Sequence, residues 1–334
     1  MTMNCFFARM ARFIAAVTFA IVCNAAFAQS ASHLSDTDTA LPSRWAPDAA
    51  RVDEQIRLRV LSADDPRSHW IAGFFDTTDI ASKVRNYAAA RVTAPQEMLY
   101  VASLALACLQ PVQPTLAECD AVDRLADWAT RDADNGLPTM LLAARASKRG
   151  DNEGTIAYLE LAAARSRFDE YASRGGLLLW DYVMTFPADA DRAAKSELAI
   201  GYEDVQTEPA LALVPGPCVA SPATAEARRA ACGKAGAAMA ERSASGMSRI
   251  VGAGIAERNA IDDRGAERVR ANRAALQSLL ARCGDDERSK IAGLESSDAA
   301  IRARMIDGLE RIVRDRARLG QVGECEHRLA TPTR

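Results

Sequence analysis

Apolar residues return at steps of three and four along nearly all of residues 48–334, and this periodicity leaves few folds open. Such spacing gathers the apolar side chains on one face of a helix, whereas a half-buried strand needs strict alternation. No run alternates Val, Ile or Thr with polar residues in that way. The chain is therefore expected to be all-α. Its last helix is the cleanest case. Ile301, Met305, Leu309, Ile312 and Leu319 step along one side, with Arg302, Arg304, Glu310, Arg311 and Arg314 around them. A stripe of this kind packs a core.

Local signals mark where helices begin and end. Asp65-Pro66 places a capping carboxylate before a proline at the first helical position, opening a helix that carries Trp70, Ile71 and Phe74. A helix over 97–109 ends at the loop of Pro111 and Pro114, and another over 118–131 stops at Asp132-Ala-Asp-Asn-Gly136. Pro138 starts the next, which reaches Lys148 and ends at Gly150. Helices are predicted over 153–166 and 169–185. Residues 204–223 contain Pro209, Pro215, Pro217 and Pro222 and form the best candidate for a domain boundary. The expected division is a helical domain over 48–203, a Pro-rich connection over 204–223 and a C-terminal helical region over 224–334.

The first 28 residues do not join this pattern. Arg9 and Arg12 lead into an apolar run from Phe13 to Cys23, and Ala26-Phe27-Ala28 has the small-x-small form that signal peptidase cuts after. The run is shorter than the roughly 20 apolar residues a bilayer span needs. A secretory signal cleaved after Ala28 is predicted, followed by a small, polar, flexible leader over 29–47. The expected product is periplasmic or secreted, with no transmembrane anchor after cleavage.

Export changes the meaning of the cysteines. Six remain beyond residue 28: Cys108, Cys119, Cys218, Cys232, Cys283 and Cys325. An even number in an oxidising compartment points to disulfides, and six cysteines allow fifteen pairings. The local set, Cys108–Cys119, Cys218–Cys232 and Cys283–Cys325, would staple neighbouring helices and is preferred. None of the spacings is CxxC, so neither a zinc ribbon nor a thioredoxin-type site is indicated.

Charge is uneven along the chain: residues 29–221 carry a net −10 and residues 222–334 a net +5. The basic half interleaves both signs along its helices, as ordinary solvated faces do, so nucleic-acid binding is not expected.

Residues 134–165, DNGLPTMLLAARASKRGDNEGTIAYLELAAAR, resemble a tetratricopeptide or Sel1-type helical hairpin. With Gly150-Asp151 as the turn, Leu142 and Ala143 take the large and small sites of the first helix, and Leu159 and Ala162 those of the second. Ala146 stands where an aromatic is commonest and Thr155 where alanine is usual. The resemblance, which extends to exported proteobacterial proteins, implies antiparallel hairpins in an irregular solenoid followed by a C-terminal bundle. Such folds serve as interaction scaffolds.

Several motifs fail on chemistry. Ile250-Val-Gly-Ala-Gly-Ile-Ala256 opens like a dinucleotide fingerprint, but Glu257 stands at the third glycine and would oppose a phosphate. Close helix packing through Gly252 and Ala256 is the expectation there, and no cofactor is expected. A calcium loop ending in Asn135-Gly136 would need carboxylates where Arg131 and Leu142 stand, so no metal site is expected. Arg149-Gly150-Asp151 spells an adhesion tripeptide but falls in a turn that needs glycine. Histidine occurs only at His33, His69 and His327, with nothing to assemble a triad.

The role most consistent with these features is a non-enzymatic scaffold binding a protein or peptide partner in the cell envelope. Exposed aromatics Trp128, Tyr158, Phe168 and Tyr171 would line its partner groove. The alternatives are an envelope enzyme using a carboxylate site on cell-wall glycan, and a small-molecule binder with a cavity between the helical halves. The enzyme predicts a deep pocket holding Asp or Glu beside His69 or a tyrosine.

Overall fold

The computed structural model describes residues 46–76, 79–110, 116–120, 122–185, 191–203, 211–219 and 226–330. The expected signal at 1–28, the leader up to residue 45 and stretches of the Pro-rich connection (204–210 and 220–223) lie outside the described residues. The helices are α1 (Ala46–Ser62), α2 (Pro66–Phe75), α3 (Ile80–Thr93), α4 (Met98–Ala107), α5 (Ala117–Asp120), α6 (Arg124–Arg131) and α7 (Gly136–Lys148). They continue with α8 (Asn152–Ala163), α9 (Ala172–Thr185), α10 (Arg192–Glu203), a 3-10 turn at Gly216–Cys218, α11 (Glu226–Arg242), α12 (Gly246–Arg258), α13 (Asp263–Gly293) and α14 (Ala299–Ala330). The described residues are all-α, with two isolated bridges, Asn135 to Arg167 and Phe168 to Ser243.

Short polar side chains set the helix starts by accepting from first-turn amides that lack an intrahelical partner. Asp65 accepts from the Ser68 amide at 3.0 Å, Asn135 from Leu137 at 3.1 Å and Asp151 from Gly154 at 2.8 Å. The same chemistry corrects two predicted helices. The stretch 118–131 is two helices, because Asp123 caps a fresh start at α6 by accepting from the Ala126 amide. The stretch 169–185 begins only at Ala172, because residues 167 and 168 are engaged in the two bridges and Tyr171 takes a positive φ of 65°. Helix α1 starts at Ala46, inside the expected leader.

Helices pack with their sequence neighbours: α2 on α3, α7 on α8, α11 on α12 and α13 on α14. Leu142, Ala143, Leu159 and Ala162 are all buried at the α7–α8 contact and around it. Gly252 has the packing role expected of it. A Cβ there would sit 2.6 Å from the Ala240 amide nitrogen, and one at Gly236 2.7 Å from that of Ala256, so α11 and α12 approach backbone to backbone. The dinucleotide-like glycines are contact points between helices.

The Pro-rich connection does not divide the chain into separate bodies. Helix α11 packs across α8, and α14 packs on α9 and α10, so Ala46–Arg334 forms one compact unit. The expected division at 204–223 is corrected by this contact: Val214, Pro217 and Cys218 are themselves core residues, and the 3-10 turn touches α7 and α11. In α14 the buried face also differs from the predicted stripe. Leu309 and Ile312 are buried, but Leu319 is 39% exposed, and Ile306, Val313 and Arg316 complete the inner face. Gly320, at φ 74°, breaks the helical backbone just after Leu319.

The three disulfides are Cys108–Cys119, Cys218–Cys232 and Cys283–Cys325. They tie α4 to α5, the 3-10 turn to α11, and α13 to α14. No described helix is long and apolar enough to cross a membrane.

Candidate functional site

The aromatic residues expected to line an open groove are mostly interior. Trp128 is 0% exposed, Phe168 1% and Tyr171 3%, while Tyr158 is half-buried on α8. The groove expectation is corrected accordingly. The apolar character that made these residues candidates is spent on the core, and their polar edges are satisfied from within. Phe168 lies on Gly136, where a Cβ would fall 2.5 Å from its ring carbons.

What joins two of these residues, Trp128 and Tyr171, is a carboxylate. Asp132, at the C-terminus of α6, is buried, and its Oδ2 accepts from Trp128 Nε1 at 3.2 Å, Asn135 Nδ2 at 2.9 Å and the Tyr171 hydroxyl at 2.8 Å. Its other oxygen accepts from Arg167, which also donates to the Tyr171 hydroxyl at 3.1 Å. Asn135 meanwhile holds the 165–171 loop by its backbone, donating to the Asp169 carbonyl at 2.6 Å and accepting from the Asp169 amide at 3.0 Å. The Asp169 carboxylate accepts from the Tyr171 amide at 2.7 Å, which pins the positive φ of that residue. The guanidinium groups of Arg167 and Arg174 lie over the Tyr171 ring.

Electrostatics follow this geometry. Burial pushes the Tyr171 hydroxyl well above the ordinary tyrosine range, and its bond to Asp132 pushes the same way. Burial also lifts Asp169 above the usual carboxylate range against its own arginines. For Arg167 burial opposes the charge, but Tyr171, Asp132 and Asp169 together hold its pKa above the usual value. Four donors converge on the Asp132 carboxylate, three of them on one oxygen. Its chemistry is to pin α6, α7 and the 165–171 loop together.

Glu170, in the same loop, is different. One carboxylate oxygen meets Ser248 Oγ at 3.3 Å, and the other is buried with no hydrogen-bond partner among the described residues. Burial raises its pKa to about 7, against the nearby hydroxyls of Ser245 and Ser248 at the start of α12. The loop beyond it continues the joint: the Phe168 amide donates to the Arg242 carbonyl, the Ala244 amide to the Phe168 carbonyl and the Gln321 amide to the Ala244 carbonyl. Residues 132–136, 165–171, 242–246 and 320–321 thus form one continuous seam between helix ends.

The other sequence candidates fall elsewhere. His69 Nε2 lies 3.1 Å from Asp64 Oδ1, on a side chain that is fully exposed to solvent. A shallow depression of about 350 Å³ lies at Cys108, Cys119, Asp120, Asp123, Arg124, Arg145 and Arg149, within the first half of the chain and not between the halves. Among the described residues no group of three or more His, Cys, Asp or Glu could hold a metal ion. In the sequence Asp132 and Asn135 read only as a helix stop, and Glu170 carries no signal of a role. The stop itself is the available clue, since Asp and Asn at a turn have side chains free to reach across it. Comparison with protein families, with curated proteins and with solved structures returned no match to this chain.

Proposed function

We propose that the protein is an exported helical scaffold that presents a helix surface to a protein or peptide partner in the cell envelope. The observation that carries this reading is the contact of two helix pairs, α7–α8 and α11–α12, through α8 and α11. Read as hairpins, they are two units of a tetratricopeptide-like or Sel1-like array, with α9 and α10 as an insertion between them. Stacked hairpins bury a continuous seam and leave one edge of each unit to solvent, the geometry by which such arrays hold extended partners. On the outer side Ala157, Leu161 and Ala164 of α8 and its following turn, and Lys234 and Ala237 of α11, are exposed. The three disulfides fit an oxidising compartment, in agreement with the predicted signal.

The test is site-specific photocrosslinking in the envelope with a photoreactive residue at Leu161 or Lys234, and at Val92 of α3 as the control. Discrete adducts with one shared partner from 161 and 234, and none from 92, are expected. Absence of adducts at both positions, or the same adducts from all three, would sink the scaffold reading. The mass of the exported chain checks the compartment separately, since it should begin at Gln29.

A further inference from the structure

The three disulfides are not equivalent. Cys218, Cys232, Cys283 and Cys325 are buried, whereas Cys108 and Cys119 are half-buried and both line the depression of about 350 Å³. The buried pairs are closed off from solvent. Cys218 sits in a turn whose carbonyl accepts from the buried Asn259, and Cys283 and Cys325 staple two long helices. Cys119 instead belongs to α5, a single turn with no buried residue. Besides the disulfide, α5 is held by contact with α3 and by Arg124 Nε donating to the Glu118 carbonyl at 2.6 Å.

The lining of the depression is polar and charged, and it opens to solvent at the disulfide. Arg124, Arg145 and Arg149 face Asp120 and Asp123, and Arg145 is committed to Asp123 through two short hydrogen bonds. Arg124 is shared with Glu118 and Asp127, so both signs of charge surround the disulfide. Access is the property by which this pair differs from the two inert, buried ones.

We propose that Cys108–Cys119 is a reversible thiol–disulfide exchange site, opened by a dithiol reductant that enters the depression, and that opening it frees α5 from the end of α4. In the forward step a reductant thiolate attacks one sulfur, breaking the S–S bond and releasing the other cysteine as a thiolate. The second reductant thiol then displaces the mixed disulfide. The reductant leaves as its own disulfide, having given up two electrons and two protons, and Cys108 and Cys119 finish as two thiols. The buried pairs stay closed throughout.

The experiment is a dithiothreitol titration of the oxidised, exported chain, with alkylation and peptide mass mapping of each cysteine and circular dichroism in parallel. Cys108 and Cys119 are expected to alkylate at a reductant concentration about ten-fold below the other four, with helix content unchanged. Opening of all three pairs together, or of Cys108–Cys119 last, overturns the proposal. The double variant Cys108→Ser, Cys119→Ser provides a second reading. It should fold with its full helix content and show faster amide exchange confined to residues 98–125. A variant that fails to fold would make this disulfide structural, and would overturn the proposal as well.

Discussion

Helices α7 and α13 are held in the molecule in different ways. Ten of the thirteen residues of α7 are buried, among them Leu137, Met140, Leu141 and Leu142, and its start is tied to the Asp132–Asn135 joint. Of the thirty-one residues of α13 only Cys283 and Glu287 are buried. The first helix is held by the apolar area it removes from water. The second buries little and is held by ties to its neighbours: a disulfide to Cys325, the ion pair of Glu287 with Arg316, which also faces Glu324, and Arg270 and Arg273 paired with Glu257 of α12. Local helix propensity and pairs such as Lys290 with Asp286 support the rest of its length. A chain can thus keep one helix by packing and another by a few anchors, and the two should fail separately.

Removing the anchors should give the largest effect. Cys283→Ser with Cys325→Ser reopens a loop of sequence separation 42, which loop-closure entropy puts at about 4 kcal/mol. Amide exchange should accelerate across α13 and α14 while α7 and α8 keep their protection; equal acceleration in all four would show the two regions to be one cooperative unit. The converse test is Asp132→Asn, which keeps the shape but loses the charge facing Arg167 and reverses one hydrogen-bond role. A loss of about 2–3 kcal/mol in denaturant unfolding is expected, with exchange fastest in α6 and α7. A loss below half of that would mean that the joint does not hold α7.

Glu170 sits where the two regions are coupled, between the 165–171 loop and α12. Its folded pKa, about 7, lies above the ordinary carboxylate value of 4.5, so the folded state binds the proton more tightly. Stability from this group is complete below about pH 4.5 and declines as pH rises towards 7, above which the penalty is constant. That shift makes the penalty roughly 3 kcal/mol. Glu170→Gln should therefore stabilise the protein at pH 8, leave it little changed at pH 4.5 and flatten the slope between them. A variant whose melting temperature keeps the wild-type slope would remove Glu170 from the coupling.

The smallest effect should come from the exposed surface of α13. Arg288 pairs with Asp285 one turn away, both in solvent. Arg288→Ala should change stability by no more than about 0.5 kcal/mol, even on a helix with so little buried surface. A larger loss would mean that surface pairs within the helix, and not its ties to α12 and α14, hold α13.

Legibility from the sequence followed the range of the interaction. Asp65 before Pro66 marked a helix start that the structure reproduces, because a cap is made within four residues. The local cysteine pairings were readable for a similar reason, since each joins elements close in the chain. Asp123 was missed as a cap because it stands inside a continuous helical pattern, and the pattern does not record that Cys119 is drawn aside to Cys108. The apolar stripe of the last helix was right at Leu309 and Ile312 and wrong at Leu319, where the neighbours of α14 decide which edge of the stripe is covered.

By itself the sequence determined that this is a helical chain, where several of its helices start and which cysteines could meet. Periodicity, caps and short spacings act over a few residues, and those residues carry the whole physical cause. Only the tertiary structure decided that Trp128, Phe168 and Tyr171 face inward and that helices from both sides of the Pro-rich stretch share one unit. An aromatic ring suits a core and a binding groove equally well. The choice rests on Asp132, thirty-nine residues from Tyr171, arriving within hydrogen-bonding distance of its hydroxyl.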